Sequence, residues 1–165
     1  MPSVASEQAI KEAVHRLAGE VSASYTEPPV LIGVLKGSFV FMADLVRELD
    51  LDCEVDFICI SSYEGTSHAT EVELRFDTIV PLEGREVLIV EDIVDSGRTL
   101  DWLRSHISHK GAARVRVVTM FFKPKAFSGE IAPEFVGISI PNEFVVGYGL
   151  DLNEKGRGRK SVTTI

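Results

Sequence analysis

Residues 87–100 read Val87-Leu88-Ile89-Val90-Glu91-Asp92-Ile93-Val94-Asp95-Ser96-Gly97-Arg98-Thr99-Leu100. The opening apolar run fits a buried strand. Two adjacent carboxylates follow, then a third, then Ser-Gly-Arg-Thr, then apolar spacing of helical period. That order sets acids at the carboxyl edge of a sheet and a Gly-bearing turn at the start of a helix. The first N–H groups of such a helix lack intrahelical partners, so its N-terminus favours an anion such as a phosphate. Acids suited to hydroxyls or a metal, beside a phosphate cradle, point to a phosphorylated sugar as ligand.

Outward from this run, the chain alternates strands and helices. Residues 6–24 carry Ile10, Val14, Leu17 and Val21 at helical spacing, with charged residues on the other face. Val30–Leu35 is a continuous apolar run, hence a buried strand. Lys36-Gly37-Ser38 breaks it, and residues 39–49 form a second helix with Phe41, Leu45 and Val46 as core candidates. Residues 53–60 read as a strand, 61–71 as a polar, mobile loop and 71–76 as another strand. Pro81-Leu82-Glu83-Gly84 marks a turn. Residues 87–90 are the central strand. Residues 99–110 are the next helix, with Gly111 as its stop. Strands follow at Arg114–Phe122, 135–140 and 144–146, and the tail 153–160 is polar and basic. The pattern predicts an α/β domain with a mainly parallel central sheet. In such sheets ligands bind beyond the carboxyl ends of the strands, which directs attention to residues 36–38, 61–71, 91–99 and 123–128.

The 165 residues, 45% of them hydrophobic, suffice for one domain, residues 1–165. A formal charge of −8 argues against a nucleic-acid partner, because phosphate backbones are held by excess Lys and Arg. No apolar run is long enough to span a membrane and no signal pattern opens the chain, so the expected location is the cytoplasm. Cys53 and Cys59, about 20 Å apart if on one strand, are expected to be reduced, buried thiols. The scattered histidines His15, His68, His106 and His109 show no zinc spacing and are read as surface residues.

The segment from Glu91 to Thr99 resembles the signature of the type I phosphoribosyltransferases, which bind 5-phosphoribosyl-1-pyrophosphate (PRPP), and in form it is most similar to their hypoxanthine-guanine branch. A second segment, Pro141-Asn142-Glu143-Phe144-Val145-Val146-Gly147-Tyr148-Gly149-Leu150-Asp151, resembles that family's Phe-Val-Val-Gly-Tyr-Gly-Leu-Asp stretch. The resemblance spans about residues 30–157. It implies the type I fold, with a small hood built from the N- and C-terminal segments. It also implies transfer of the phosphoribosyl group from PRPP to hypoxanthine or guanine in purine salvage, and a homodimer or homotetramer. Two other readings stay open: a sister transferase preferring xanthine, and a PRPP-sensing, RNA-binding regulator with little turnover.

Carried over by position, the resemblance gives roles to individual residues. Glu91 and Asp92 would meet the ribose hydroxyls directly or through Mg²⁺, for which carboxylate oxygens are apt. Asp95 either supports the turn or, as the resemblance implies, handles the proton at N7 of the base. Ser96, Gly97, Arg98 and Thr99 would wrap the 5-phosphate, with helix capping as the alternative for Thr99 and simple solvation for Arg98. Leu35, Lys36 and Gly37, before Ser38, are similar to the family's pyrophosphate loop, which holds a cis peptide ahead of the Lys; an ordinary turn capped by Ser38 is the alternative. Ser61-Ser62-Tyr63-Glu64-Gly65 is similar to the start of its mobile catalytic loop, whose Ser62 and Tyr63 carry over. Lys123 would hydrogen-bond a purine 6-oxo group, with Lys125 as rival. Phe144 would stack on the base, Val145 would offer backbone groups, and Asp151 would hold a second Mg²⁺ near the 2-position. Arg157 would contact pyrophosphate, with Arg159 as its substitute.

Overall fold

The computed structural model describes residues 2–64 and 70–165. In chain order the elements are β1 (Ser3–Ala5), α1 (Glu7–Ser24), β2 (Val30–Leu35), α2 (Phe39–Glu48), β3 (Val55–Glu64), β4 (Thr70–Phe76), β5 (Glu86–Val94), α3 (Arg98–His109), β6 (Arg114–Phe122), β7 (Phe135–Ser139), β8 (Val145–Val146) and β9 (Val162–Thr164). Six strands form the main sheet in the order β4-β3-β2-β5-β6-β7, parallel except for the edge strand β4, and β1-β9-β8 form a small second sheet. This is the expected α/β layout with a hood built from both ends of the chain.

Strand residues alternate in direction, and both faces of this sheet are covered. Leu31, Leu88 and Val90 pack with α1 and α2 on one face. Ile32, Val87 and Ile89 pack with Leu100, Leu103 and Ile107 of α3 on the other. Burial on both faces explains why β2 and the first half of β5 are unbroken apolar runs. Helix α1 is capped by Ser6, whose Oγ accepts the Ala9 N–H at 3.1 Å. Its Ile10, Val14, Leu17 and Val21 are all buried, as their spacing predicts. In α2, Phe41 and Leu45 are buried while Val46 is half-buried, and Met42 joins the core.

Several boundaries differ from the sequence reading. The predicted loop at 61–71 is largely strand: β3 runs to Glu64 and pairs antiparallel with β4, Ser62 opposite Val72 and Tyr63 opposite Glu71. Only 65–69 of that stretch lie outside the described residues. This hairpin lies at the sheet edge, where polar side chains are tolerated, so composition hid it. Cys53 precedes β3 rather than lying in it; both cysteines are free and half-buried, not buried. β5 extends to Val94, four residues beyond the predicted strand. Helix α3 is preceded by Gly97 at φ 88°, so Gly97, not Thr99, occupies the N-cap position. At Ser38 the side chain makes no capping bond, and its hydroxyl is buried.

His106 is likewise not a plain surface residue, whereas His15 and His109 are exposed and His68 lies outside the described residues. His106 stacks on Trp102, centroids 4.7 Å apart, and its Nε2 lies 3.0 Å from Asp77 Oδ2, which also accepts from Lys110 Nζ at 3.1 Å. Asp77 thereby ties the exit of β4 to α3. Burial disfavours its charge, but the bonds from His106, Lys110 and the Thr78 N–H outweigh it and hold the carboxyl below its usual range. A depressed folded value contributes stability above the unfolded value and loses it as pH falls. In urea unfolding, the stability gap between wild type and Asp77→Asn is therefore full at about pH 5–6 and closes below about pH 4. A gap unchanged at about pH 2–3 would rule this ion pair out as its source.

Candidate functional site

The site begins where the sheet splits. β2 pairs with β5 only as far as Gly33 opposite Val90, after which β2 continues along β3 and β5 along β6. Strand order reverses here, and a crevice opens at the carboxyl ends, the place where open α/β sheets bind ligands. A cavity of about 240 Å³ occupies it, lined by Val34, Leu35, Gly37, Ile60, Ser62, Glu91 to Asp95, Ser96, Gly97, Thr99 and Leu100.

Glu91 and Asp92 both line this cavity although they are adjacent in a strand. The free edge of β5 beyond Val90 explains this, because the crevice borders the strand's edge rather than one of its faces. Glu91 is 6% exposed, and its Oε1 is buried with no hydrogen-bond partner among the described residues. Asp92 Oδ1 accepts its neighbour Ile93's N–H at 2.7 Å. Burial first, and then the Asp92 charge, push Glu91 well above the usual carboxylate range; burial also raises Asp92. No group of three or more His, Cys, Asp or Glu side chains able to hold a metal occurs among the described residues. The pair nevertheless fits Mg²⁺, a hard ion that takes few protein oxygens and completes its shell from water and ligand oxygens. The unpartnered Glu91 Oε1 is the observation behind that fit.

Opposite the acids, Gly97 and the first turn of α3 present the cradle. A Cβ on Gly97 would sit 2.4 Å from the Phe127 ring, so both the positive φ and the close packing require glycine there. The Arg98 side chain is exposed and does not line the cavity; its N–H lies 3.4 Å from Ser96 Oγ. On the β2 side the Leu35–Lys36 peptide is cis. A Cβ on Gly37 would meet Asp92 Oδ2 at 1.7 Å, and one on Gly149 would meet the Gly37 carbonyl oxygen at 2.0 Å. Three chain segments thus touch backbone to carboxylate and backbone to backbone.

Of the other predicted residues, Asp95 and Ser62 line this cavity, while Lys123, Phe144, Val145, Asp151 and Arg157 do not. Val94 pairs with Phe122, so the next residues in register, Asp95 and Lys123, are neighbours, with Nζ to Oδ2 at 2.9 Å. Lys123 is 5% exposed and its Nζ lies 5.7 Å from the centre of the Phe144 ring, which is 83% exposed. Lys125 is exposed and makes no such contact. Val145 is buried in the hood, opposite Thr164 of β9. Asp151 does not line the cavity: Oδ2 accepts the Glu154 N–H at 2.8 Å and Oδ1 lies 3.2 Å from Arg157. Arg157 also donates to the Gly149 carbonyl at 2.8 Å. Arg157 and Arg159 both line a second cavity, with Tyr148 and Lys160. Ser62 is an exposed strand residue at the cavity; Tyr63 belongs to the same strand, and the rest of the predicted catalytic loop, 65–69, lies outside the described residues. One participant was not anticipated: Glu154, whose carboxylate lies 2.9 Å from Lys36 Nζ. An acid in a polar tail carries no signal of its own.

The family model for the phosphoribosyl transferase domain matches residues 3–153. The chain is 46% identical over 130 residues to the hypoxanthine-guanine phosphoribosyltransferase of Lactococcus lactis subsp. lactis (strain IL1403), covering 78% of this chain and 70% of that protein. It is 42% identical over 154 residues to the protein of the same name from Streptococcus pyogenes serotype M3 (strain ATCC BAA-595 / MGAS315), covering 92% and 86%. The crystal structure of a hypoxanthine-guanine phosphoribosyltransferase from Bacillus anthracis str. 'Ames Ancestor' superposes with a TM-score of 0.95 at 38% identity, covering 100% of this chain and 98% of that one. The chain therefore belongs to the phosphoribosyltransferase family and shares its fold, grouping with its hypoxanthine-guanine members.

Proposed function

We propose that this chain transfers the 5-phosphoribosyl group from PRPP to hypoxanthine or guanine in purine salvage, giving the nucleoside 5-monophosphate and pyrophosphate. One observation carries the reading: an acidic pair, Glu91 buried and Asp92 half-buried, and a glycine-opened helix N-terminus share one cavity, with a cation and an open aromatic ring beside it. The names of the relatives support the base class. The match over residues 3–153 supports treating residues 1–165 as one domain. Family likeness supports a homodimer or homotetramer working in the cytoplasm.

In the reaction the C1–O bond to pyrophosphate breaks, the purine nitrogen bonds C1, and the base loses a proton. Ser96, Gly97 and Thr99, with the N–H groups opening α3, hold the 5-phosphate. Glu91 and Asp92 hold the ribose hydroxyls and would hold a Mg²⁺ ion, with Asp151 as the candidate for a second. When bound, such an ion neutralises charge on the pyrophosphate leaving group. Leu35, Lys36 and Gly37 and the Arg157 guanidinium flank the pyrophosphate. Phe144 stacks on the base and Val145 lends it backbone groups, while Lys123 donates to its 6-oxo group, which an adenine amino group would not accept. Asp95 takes the proton at N7. Ser62 lies at the cavity, and family likeness assigns to it and to Tyr63, next in β3, the exclusion of water, which would otherwise compete with the purine.

Pyrophosphate release with PRPP and Mg²⁺ is measured with hypoxanthine, guanine, xanthine, adenine and uracil in parallel. Turnover is expected with hypoxanthine or guanine and not with adenine or uracil. Turnover confined to xanthine, or PRPP binding without turnover on any base, would overturn the assignment.

A further inference from the structure

The hairpin after β8 holds a residue in a conformation that suits it poorly. Leu152 and Lys155 exchange backbone hydrogen bonds of 2.9 and 3.1 Å across a two-residue turn. Both central residues are left-handed, Asn153 at φ 52° and Glu154 at φ 64°. Asn enters this region readily, but the second position of such a turn normally takes Gly, since a longer L side chain is disfavoured there. An outlier of this kind motivates a search for what its side chain does.

The Glu154 carboxylate does one visible thing. Its Oε2 accepts from Lys36 Nζ at 2.9 Å and lies 3.5 Å from an Arg157 guanidinium nitrogen. Lys36 belongs to the loop after β2 and Arg157 to the tail, so a single carboxylate spans both. Stability does not account for it: Glu154 and Lys36 are 65% and 64% exposed, and ion pairs so exposed contribute little. Gly at this position would also suit the turn better. Lys36 and Arg157 are, in the function proposed above, the cations set against pyrophosphate, and Glu154 contacts both, sharing Arg157 with Asp151 Oδ1 at 3.2 Å and the Gly149 carbonyl at 2.8 Å.

We infer that Glu154 is an internal counter-anion of the pyrophosphate subsite: it holds Lys36 and Arg157 in place until a diphosphate displaces it, and so sets PRPP affinity and pyrophosphate release. The inference rests on the proposed function. Glu154 is a positioning residue and touches no reacting atom. Removing its charge frees Lys36 for the ligand and removes a repulsive neighbour, while Arg157 keeps its contacts with Asp151 and the Gly149 carbonyl.

The test compares wild type with Glu154→Gln, which keeps shape and loses charge, and Glu154→Gly, which also relaxes the turn. Binding of inorganic pyrophosphate in the presence of Mg²⁺, the KM for PRPP, kcat and thermal unfolding are measured. Both variants are expected to bind pyrophosphate roughly two- to fivefold tighter, with the gain shrinking as salt is added. KM for PRPP falls in step while kcat does not rise, and Glu154→Gly melts no lower than wild type. A purely structural Glu154 would move these the other way, raising KM and lowering the melting temperature. If wild type binds pyrophosphate and neither variant binds it tighter, the inference alone is overturned. If wild type binds neither pyrophosphate nor PRPP, the proposed function falls with it.

Discussion

Asp95→Asn is expected to slow the chemical step by about 10²–10⁴-fold, the usual contribution of a positioned acid–base group, while leaving PRPP affinity within a few fold. The asymmetry follows from position. Asp95 stands one residue past β5, and its carboxylate lies 2.9 Å from Lys123 Nζ, on the side where Phe144 waits for a base. The phosphate cradle starts only at Ser96, and the acidic pair lies behind it in β5. Asn keeps an oxygen for the Lys123 ammonium but takes no proton. The substitution also leaves that ammonium, whose side chain is 7% exposed, without its counter-charge, and unpaired buried charge is destabilising. Part of any loss in base affinity therefore belongs to Lys123. A cycle of Asp95→Asn, Lys123→Gln and the double variant, read by single-turnover rate and by KM for each substrate, separates the two effects. The double variant should recover stability in urea unfolding relative to Asp95→Asn, because the unpaired buried ammonium is gone, but it should bind the base no better, since Lys123 is also the 6-oxo donor, and recover none of the chemical rate. Collapse of PRPP affinity with the chemical step intact would move Asp95 from the base to the sugar phosphate.

Much of this molecule is legible in its sequence because strong local signals coincide with the sheet's interior. The runs at Val30–Leu35 and 87–90 are apolar because both faces of the sheet are covered there. The glycine at 97 is visible because the chain must turn through a positive φ where α3 starts. Signals fade where burial is one-sided or pairing is remote. The far ends of β3 and β4 pair through Ser61, Ser62 and Glu71, polar residues toward the sheet edge, and this part alone of the two strands reads as a loop. β1 and β9 are three residues each and join opposite ends of the chain, so no local period reveals them. The same division runs through the site. Glu91, Asp92, Asp95 and Lys123 stand out as candidates by their order along the chain, but the 2.9 Å bond joining Asp95 to Lys123 spans 28 positions, and the one joining Lys36 to Glu154 spans 118. Such contacts are products of register and turn geometry. The register also explains the acidic pair better than periodicity does: two adjacent strand residues reach one cavity because β2 leaves β5 after Val90.

Gly37→Ala is the other substitution with a large expected effect, because glycine 37 is where three segments converge. The added Cβ would lie 1.7 Å from Asp92 Oδ2 and 2.6 Å from its Cγ. The Asp92 carboxylate has little room to yield, since its Oδ1 is held by the Ile93 N–H. Nor can the loop simply recede, because the Gly37 carbonyl already abuts Gly149 so closely that a Cβ there would fall 2.0 Å from it. Overpacking of this kind costs about 1–3 kcal/mol, while displacing a positioning group by about 1 Å lowers rate by about 10²-fold. Activity should therefore fall about a hundredfold or more while the protein remains folded, with the Mg²⁺ dependence of PRPP binding weakened in parallel. The stability part is separable. In the background of Asp92→Ala the carboxylate that meets the new Cβ is gone, so the Gly37→Ala penalty in urea unfolding should shrink by most of its value, a non-additivity expected of touching residues. An undiminished penalty in that background would mean that contacts other than the Asp92 carboxylate require the glycine, and that Asp92 is free to sit elsewhere when the ligand binds.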